Sequence, residues 1–213
     1  MKITIITACR RVNGLKKVIK SIDAQTYTDW QHIIVNDNHP EVREFLKTLP
    51  ESPKRYWIDL GVRTHWYGGI ARNIGAMAAF SYIKDSNREW DDSWLIFLDD
   101  DNLWYPNHLE TLVKGHKEKP EATLIGVDME IRGCINKDYK HILKCQIKPQ
   151  QCDLGNFIYK KDLFEKYGYF RPRPRHKISF DYELISKIAE GEGEEKIHII
   201  SGKHTFVFYH KER

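Results

Sequence analysis

Residues 94–106, WLIFLDDDNLWYP, decide how this chain is interpreted, because an apolar run leads directly into three consecutive carboxylates. The run at residues 94–99 has apolar side chains for both faces of a strand, as strands at the centre of a sheet do. We therefore predict a buried central strand that ends at Asp99, Asp100 and Asp101. Ligands of open α/β sheets bind outside the carboxyl ends of the strands. The sequence thus places a candidate site at that edge.

The rest of the chain alternates short apolar runs with amphipathic segments, the pattern of βαβ units and a mainly parallel sheet. Strands are predicted at residues 3–7, 32–36, 55–60, 123–128 and 204–209. Helices are predicted at residues 15–24, 41–49, 161–167 and 180–189, after the glycine pair in GGIARNIGA, and in HLETLVKGH. Residues 133–151 are irregular and could pair as hairpin strands. The expected fold class is α/β, with helices flanking a Rossmann-like sheet.

Composition favours one soluble domain over residues 1–213, since 41% hydrophobic residues suffice for one core. No apolar run approaches the roughly 20 residues of a transmembrane segment. The start MKITIITACRR resembles a strand more than a secretory signal, which favours the cytoplasm. The four cysteines lack C-x-x-C spacing, so free thiols are expected rather than zinc. With a net charge of +4 and no interleaved basic and aromatic residues, nucleic acid is not an expected partner.

The acidic triplet indicates a metal site. Adjacent carboxylates repel one another unless a cation lies among them, and a hard divalent cation is the usual solution. Mg²⁺ or Mn²⁺ takes one or two protein carboxylates and completes its shell with water and phosphate oxygens. The alternative is a solvated acidic turn at the start of a helix. The preceding apolar strand favours the metal.

Four other residues are candidates, each with a simpler alternative. Asp37 ends the second strand, where an acid accepts hydrogen bonds from a base or ribose, or merely starts a turn. Arg72 follows Gly68 and Gly69 and reaches the same cleft, or is a surface arginine. In ISFDYELISKI, Asp181 falls in the first turn of a helix, whose positive end lowers the pKa of the carboxyl and keeps it ionised as a proton acceptor, or it only stabilises the helix start. His210 is a further metal or phosphate ligand, or an exposed terminal histidine.

The order of these segments resembles the inverting glycosyltransferases of family two, which have the GT-A fold. ITIITACRR resembles their first strand and nucleotide loop, and LKKVIKSIDAQTYTDWQHIIVNDN resembles the following helix, turn and strand. GGIARNIGA matches their Arg-Asn-x-Gly helix, and FLDDDNLWYPNHLETL their DXD-type metal motif. GNFIYKKDLFEKYGYF is similar to the acceptor-side segment and SFDYELISKI to the catalytic-base segment. The resemblance extends over nearly the whole chain.

For the donor side, the resemblance implies that Thr7 and Asp37 hold the nucleoside, with Arg72 nearby. Asp100 would hold the donor ribose or sugar, and Asp101 would bind the Mn²⁺ or Mg²⁺ that bridges the diphosphate. The donor would be a nucleotide sugar, preferably a UDP-sugar, bound in a half formed by residues 1–103.

For the acceptor side, the resemblance implies a half formed by residues 104–213, with Asp181 as general base toward a hydroxyl of a growing glycan. The reaction would invert the anomeric configuration and serve glycan biosynthesis. The basic residues 171–177, RPRPRHK, would close over the donor as a lid, or form a solvated loop. The family pattern usually has an acid where Asn36 stands, and another where Phe180 stands.

Three alternatives remain open at this point. One is a retaining transferase on the same fold. Another is a sugar nucleotidylyltransferase, although ACRRVNG offers one glycine where that class has a glycine-rich phosphate loop. A third is a non-catalytic carbohydrate-binding domain with a transferase fold, against which Asp101 and Asp181 argue.

Overall fold

The computed structural model describes residues 1–64, 68–84, 93–132, 140–170 and 179–209. These ranges form a nine-stranded sheet with helices packed against it. The strands are β1 Lys2–Cys9, β2 Trp30–Asn36, β3 Arg55–Asp59, β4 Ser93–Phe97, β5 Leu103–Trp104, β6 Leu124–Arg132, β7 Lys140–Leu143, β8 Phe157–Lys160 and β9 Ile197–Tyr209. The helices are α1 Val12–Asp23, α2 Pro40–Lys47, α3 Gly69–Lys84, α4 His108–Glu118, α5 Lys161–Tyr167 and α6 Phe180–Glu192, with a short 3-10 helix at Glu194–Lys196.

The strand order is β3-β2-β1-β4-β8-β6-β9-β5, with β7 paired to β6 outside this path. The pairs along β3-β2-β1-β4 are parallel, as is the pair of β6 with β9. β8 runs antiparallel to both β4 and β6. The predicted α/β fold is confirmed, and the parallel half of the sheet comes from the first half of the chain.

The apolar run before the acidic triplet forms the buried central strand that the sequence predicts. β4 lies between β1 and β8, and every residue from Ser93 to Phe97 is buried. Leu98 extends the ladder by donating its backbone N–H to the Ile6 carbonyl oxygen at 3.0 Å. The chain leaves the sheet just before Asp99, so the acidic triplet lies at the carboxyl end of β4.

Helices cover both faces of the sheet with apolar side chains. On one face, the small residues Ala71, Ala76 and Ala79 of α3 are fully buried and let this helix pack closely on β1 and β2. On the other face, α1 buries Val18 and Ile22 in a cluster shared with α4. Burying an aliphatic side chain contributes roughly 1.5–3 kcal/mol, so these faces supply much of the folding free energy.

The second half departs from the predicted pattern in its short and late strands. β5 and β8 have two and four residues and were not predicted, because pairing with distant segments defines them rather than local pattern. β9 begins at Ile197 and is longer than the strand predicted at residues 204–209. β7 pairs antiparallel with β6, in agreement with the hairpin alternative for this region.

The topology brings several loops to one edge of the sheet. β1, β2 and β4 are parallel, so their carboxyl ends meet there, and antiparallel β8 begins at the same edge. The loop before β8, which contains Asp153, therefore lies beside the acidic segment after β4. In the described part of the chain, no helix is long and apolar enough to cross a membrane.

Candidate active site

A cleft of about 440 Å³ opens at the carboxyl ends of β1, β2 and β4. Its lining combines residues that follow these three strands with residues at the start of α3: Ala8, Arg10, Arg11, Asp37, His39, Gly68, Arg72, Asp99, Asp100 and Asp101. A second pocket of about 920 Å³ adjoins it along the first turn of α1 and shares four of these residues, Arg10, Arg11, Asp100 and Asp101. Three arginines and four aspartates thus line the cleft.

Asp100 joins the acidic segment to the start of α1. Its Oδ2 accepts the backbone N–H groups of Arg10 and Arg11, at 2.8 and 2.9 Å. Its Oδ1 accepts Nε–H of Arg11 at 2.9 Å, and Nη2 of Arg11 also pairs with it. Arg11 is the residue that precedes α1, and its own side chain does not cap the helix. The Asp100 carboxylate, distant in sequence, instead accepts the backbone N–H groups at this helix start. Both Asp100 oxygens already have protein donors, and its contact with a donor sugar stays a prediction.

Asp101 is more accessible to a ligand than Asp100. Its side chain is 31% exposed, and its Oδ2 lies 2.8 Å from Nη2 of Arg11. Burial and the neighbouring charge of Asp99 raise the pKa of Asp101, while Arg11 acts in the opposite direction. Burial and Asp99 together outweigh Arg11, and a cation bound at this carboxylate would favour its ionised form.

Arg72 lies at the centre of the site. Its Nε donates to Oδ1 of Asp99 at 3.1 Å, and Nη2 donates to the same oxygen. Its guanidinium carbon is 5.9 Å from the centre of the Phe170 ring. The Asn73 side chain holds the Phe170 backbone: its Nδ2 donates to the Phe170 carbonyl oxygen at 2.8 Å, and its Oδ1 accepts the Phe170 N–H at 2.9 Å. Burial disfavours the charge of Arg72, but Asp99, Asp181 and Asp153 outweigh it and raise its pKa.

Asp37 lies in the cleft, as predicted, and Thr7 does not. Oδ1 of Asp37 accepts the backbone N–H of Thr64 at 2.7 Å, while Oδ2 is buried without a hydrogen-bond partner in the described residues. A buried acceptor without a partner is costly, so a ligand donor would satisfy it. Thr7 is fully buried, and its hydroxyl lies 3.0 Å from Nε2 of His32. A nucleoside contact by Thr7 remains a prediction.

Asp181 occupies the first turn of α6, where Ser179 caps the helix by accepting the Tyr182 backbone N–H at 3.3 Å. Burial raises the pKa of Asp181 to about 6; Arg72 opposes the shift and Asp99 adds to it. The expectation of a lowered pKa is wrong: a backbone hydrogen bond at the helix start does lower the pKa of Asp181, but desolvation outweighs this contribution. A carboxylate with this pKa is still mostly ionised at neutral pH and is a better proton acceptor than an ordinary aspartate.

Sequence reasoning missed two residues of the site, Arg11 and Asp153. Arg11 is the cation of the acidic segment, and the adjacent Arg10 and Arg11 after the first strand were the available signal. Asp153 is buried in the loop before β8, and its charge interacts with those of Asp181, Asp99 and Arg72. Its only sequence signal was an acid shortly before a glycine in CDLGN.

Two predicted features lie outside the described residues. One is His210, the predicted second metal ligand, and the other is the basic segment 171–177. Both stay predictions.

Comparison with known proteins identifies the family of the chain. The sequence profile of glycosyl transferase family 2 matches residues 3–180. The chain belongs to glycosyl transferase family 2. It is a transferase enzyme.

Individual relatives agree with this family. The chain is 26% identical over 195 residues to the uncharacterized glycosyltransferase R139 of Acanthamoeba polyphaga mimivirus, covering 84% of this chain and 73% of that protein. Its fold is similar to that of S. aureus TarS 1–349 in complex with UDP-GlcNAc, with a TM-score of 0.71 and 15% identity. That match covers 100% of this chain and 60% of the TarS chain. The UDP complex of TarS 1–349 matches with a TM-score of 0.64, over 98% of this chain and 60% of that one. The GT-A fold is therefore shown.

Proposed function

We propose that the chain transfers a sugar from a nucleotide diphosphate donor, preferably a UDP-sugar, to a hydroxyl of a growing glycan with inversion of configuration. The observation that carries the proposal is the position of Arg72 between two acids. It hydrogen-bonds Asp99 on the donor side, and its charge interacts with that of Asp181. Donor-binding groups and a candidate base therefore share one site.

The donor is proposed to lie in the cleft with its nucleoside toward Asp37. Oδ2 of Asp37, which has no hydrogen-bond partner among the described residues, offers an acceptor to an N–H of the base or a hydroxyl of the ribose. Arg10 and Arg11 offer positive charge to the diphosphate on the same wall. The TarS complexes with UDP and UDP-GlcNAc support uridine as the base.

The residues present fit a divalent cation at Asp101. The site offers carboxylate oxygens, which hard cations prefer, and Asp101 lies partly exposed toward the cleft with a raised pKa. In the ranges that the structure covers, no three acidic, histidine or cysteine side chains form a complete metal cage. A site with few carboxylate ligands suits Mg²⁺ or Mn²⁺, because these cations take their remaining ligands from phosphate and water. When bound, the cation would neutralise charge on the departing diphosphate.

Asp181 is proposed to act as the base in a single displacement. Its carboxylate takes the proton of the acceptor hydroxyl while that oxygen forms a bond to the anomeric carbon. The bond from this carbon to the diphosphate oxygen breaks on the opposite face, and the nucleoside diphosphate leaves with the bonding electrons. One displacement without a covalent intermediate inverts the configuration.

The division of the chain remains part of the proposal. Residues 1–103 would hold the nucleotide sugar, and residues 104–213 the acceptor and the base, within one domain of residues 1–213. The free thiols of Cys9, Cys145 and Cys152 are compatible with the reducing cytoplasm, which we propose as the location.

The decisive experiment compares Asp181→Asn with Glu183→Gln in a transferase assay with UDP-sugars and Mn²⁺. Both acids lie in the first turn of α6, and Glu183 pairs with Lys187 at 3.0 Å. Loss of the base is expected to lower turnover about 10²- to 10⁴-fold in Asp181→Asn, with UDP affinity unchanged. Glu183→Gln is expected to retain turnover.

Three results would contradict parts of the proposal. A reversed pattern, with turnover lost in Glu183→Gln and kept in Asp181→Asn, would assign the base elsewhere. Retained configuration of the product in NMR spectra would exclude the single displacement. UDP binding that is equally tight with Mn²⁺ and with a chelator would remove the metal from the proposal.

A further inference from the structure

One guanidinium nitrogen lies between two carboxylates of the acidic segment. Nη2 of Arg11 pairs with Oδ1 of Asp100 and lies 2.8 Å from Oδ2 of Asp101. Nε of the same side chain donates to Oδ1 of Asp100 at 2.9 Å. A positive charge of the protein itself therefore lies where the acidic segment offers its oxygens.

The backbone and the side chain of Arg11 are held in different ways. Its backbone N–H donates to Oδ2 of Asp100 at 2.9 Å, beside the N–H of Arg10 at 2.8 Å. Its guanidinium, in contrast, ends a long side chain that is 40% exposed. Ion pairs of exposed side chains contribute little to stability. The guanidinium can therefore leave the carboxylates while the start of α1 stays in place.

The two other arginines of the cleft have different partners. The side chain of Arg72 is only 7% exposed, and its Nε and Nη2 both donate to Asp99. Nε of Arg10 donates to Nε2 of His39 at 3.1 Å. Arg11 lines both the cleft and the adjoining pocket. It is therefore the arginine that contacts Asp100 and is also exposed enough to turn toward a ligand.

A nucleoside diphosphate is the ligand that would attract this guanidinium. The buried Oδ2 of Asp37 has no hydrogen-bond partner among the described residues, which indicates a ligand donor in the same cleft. A diphosphate carries more negative charge than one carboxylate, and arginine binds phosphate oxygens through two parallel N–H donors. A diphosphate in the cleft therefore competes with Asp101 for Arg11.

We propose that Arg11 is an exchangeable cation of the site: its guanidinium screens Asp100 and Asp101 until a nucleoside diphosphate binds, and then moves to the diphosphate. The move exposes Oδ1 of Asp100 to the donor and withdraws the positive charge that repels a divalent cation at Asp101. Nucleotide binding thus prepares the site for metal binding. The nucleotide and the metal rest on the proposed function, whereas the position of Arg11 between the two acids does not.

Exchange and a permanent ion pair differ in one measurable respect. If Arg11 leaves Asp101 when nucleotide binds, removing Arg11 changes the Mn²⁺ affinity only of the protein without nucleotide. If Arg11 stays on Asp101, its removal changes the affinity in both states. The effect of the substitution with and without nucleotide therefore measures the coupling that the exchange produces.

The first experiment is calorimetry with Mn²⁺ on wild type, Arg11→Ala and Lys17→Ala, each alone, with saturating UDP and with saturating uridine, compared at equal free Mn²⁺. Arg11→Ala is expected to bind Mn²⁺ about tenfold more tightly than wild type, both alone and with uridine. This gain is expected to vanish with UDP, because wild-type Arg11 is then on the diphosphate. Lys17→Ala is the control and should follow wild type throughout, since Lys17 is exposed and lines only the adjoining pocket.

The second experiment observes Arg11 itself by NMR of the arginine Nε–H groups, with a chelator present. The Arg11 signal, identified by its loss in Arg11→Lys, is expected to shift with UDP and with inorganic diphosphate, and to stay in place with uridine. Arg11→Lys keeps a positive charge, so it should bind Mn²⁺ as weakly as wild type in the absence of nucleotide. That result would separate the effect of charge in Arg11→Ala from an effect on folding.

Each part of the proposal has an outcome that would overturn it. A tenfold gain in Arg11→Ala that persists with UDP, or an Nε–H signal that UDP leaves in place, would exclude the exchange. Equal Mn²⁺ affinity of wild type and Arg11→Ala without nucleotide would exclude the screening of Asp101. A chain that does not bind UDP would refute the proposed function, and the response of the Arg11 signal to inorganic diphosphate would still decide the exchange.

Discussion

Gly14 in the first turn of α1 packs so closely on Asp100 that a Cβ at position 14 would lie 1.8 Å from the Asp100 carbonyl oxygen. The obstacle is backbone, which cannot rotate away as a side chain can. This contact holds the helix start where the Asp100 carboxylate reaches the amides of Arg10 and Arg11. The absence of a side chain at Gly14 thus allows the start of α1 to lie against Asp100.

Gly14→Ala is expected to lower the free energy of unfolding by about 1–3 kcal/mol, the usual cost of overpacking. The gain in helix propensity, roughly 1 kcal/mol, is included in this range and does not reverse it. Urea unfolding measures the change. Gly61→Ala is the matched control, because a Cβ there meets nothing within 4 Å. Equal stability of the two variants would show that α1 shifts at little cost.

Arg11→Ala is expected to tighten Mn²⁺ binding in the absence of nucleotide. The Arg11 guanidinium, 2.8 Å from Oδ2 of Asp101, repels a second cation at that carboxylate. Loss of one neighbouring charge near the surface changes affinity by about tenfold in calorimetry. Lys17→Ala serves as the control, since Lys17 lines only the adjoining pocket. Weaker Mn²⁺ binding in Arg11→Ala would contradict competition between the two cations.

Arg72→Lys is expected to weaken UDP binding about tenfold or more, because lysine cannot reproduce a planar group with several fixed donors. Arg72 uses Nε and Nη2 together on Asp99 while it lies over Phe170. Calorimetry with UDP and Mn²⁺ measures the loss. Arg55→Lys is the control, because Arg55 also pairs with an aspartate, Asp23, but begins β3 at the opposite edge of the sheet. An equal loss in both variants would indicate a general effect on folding.

The raised pKa of Asp181 predicts a cost in stability. The native carboxyl binds a proton up to a pH of about 6, whereas the carboxyl of the unfolded chain releases it near its ordinary pKa of 3.8. The native state therefore loses stability as the pH rises between these values, and ionised Asp181 remains unfavourable at pH 7. Asp181→Asn is expected to raise the free energy of unfolding at pH 7 by about 1–3 kcal/mol.

This stabilisation should disappear below pH 4, which urea unfolding across the pH range tests. Asp162→Asn is the control: Asp162 is exposed at the start of α5, and its replacement should change stability by less than about 0.5 kcal/mol at either pH. A wild type that is more stable than Asp181→Asn at pH 7 would contradict a raised pKa.

The sequence by itself determined the elements whose pattern is local and periodic. The apolar run of β4 predicted a central strand, and the alternation before it predicted a parallel sheet whose strand ends gather Asp37, Asp99 and Asp101. The α5 helix was predicted over its observed bounds, Lys161–Tyr167. These features are readable because burial on a sheet or helix imposes a fixed spacing on apolar residues.

Only the tertiary structure decided which distant charged groups form ion pairs and how they shift one another's pKa. The short strand β8 carries no pattern of its own, yet its pairing with β4 brings Asp153 to the site. Arg11 and Asp100, separated by 89 positions, meet only because β1 and β4 are neighbours. The pKa of Asp181 likewise depends on burial by segments that are remote in sequence, so its helix position alone gave the wrong direction. Local pattern fixes which residues face the edge of the sheet, whereas protonation and pairing follow from the three-dimensional distances between charges.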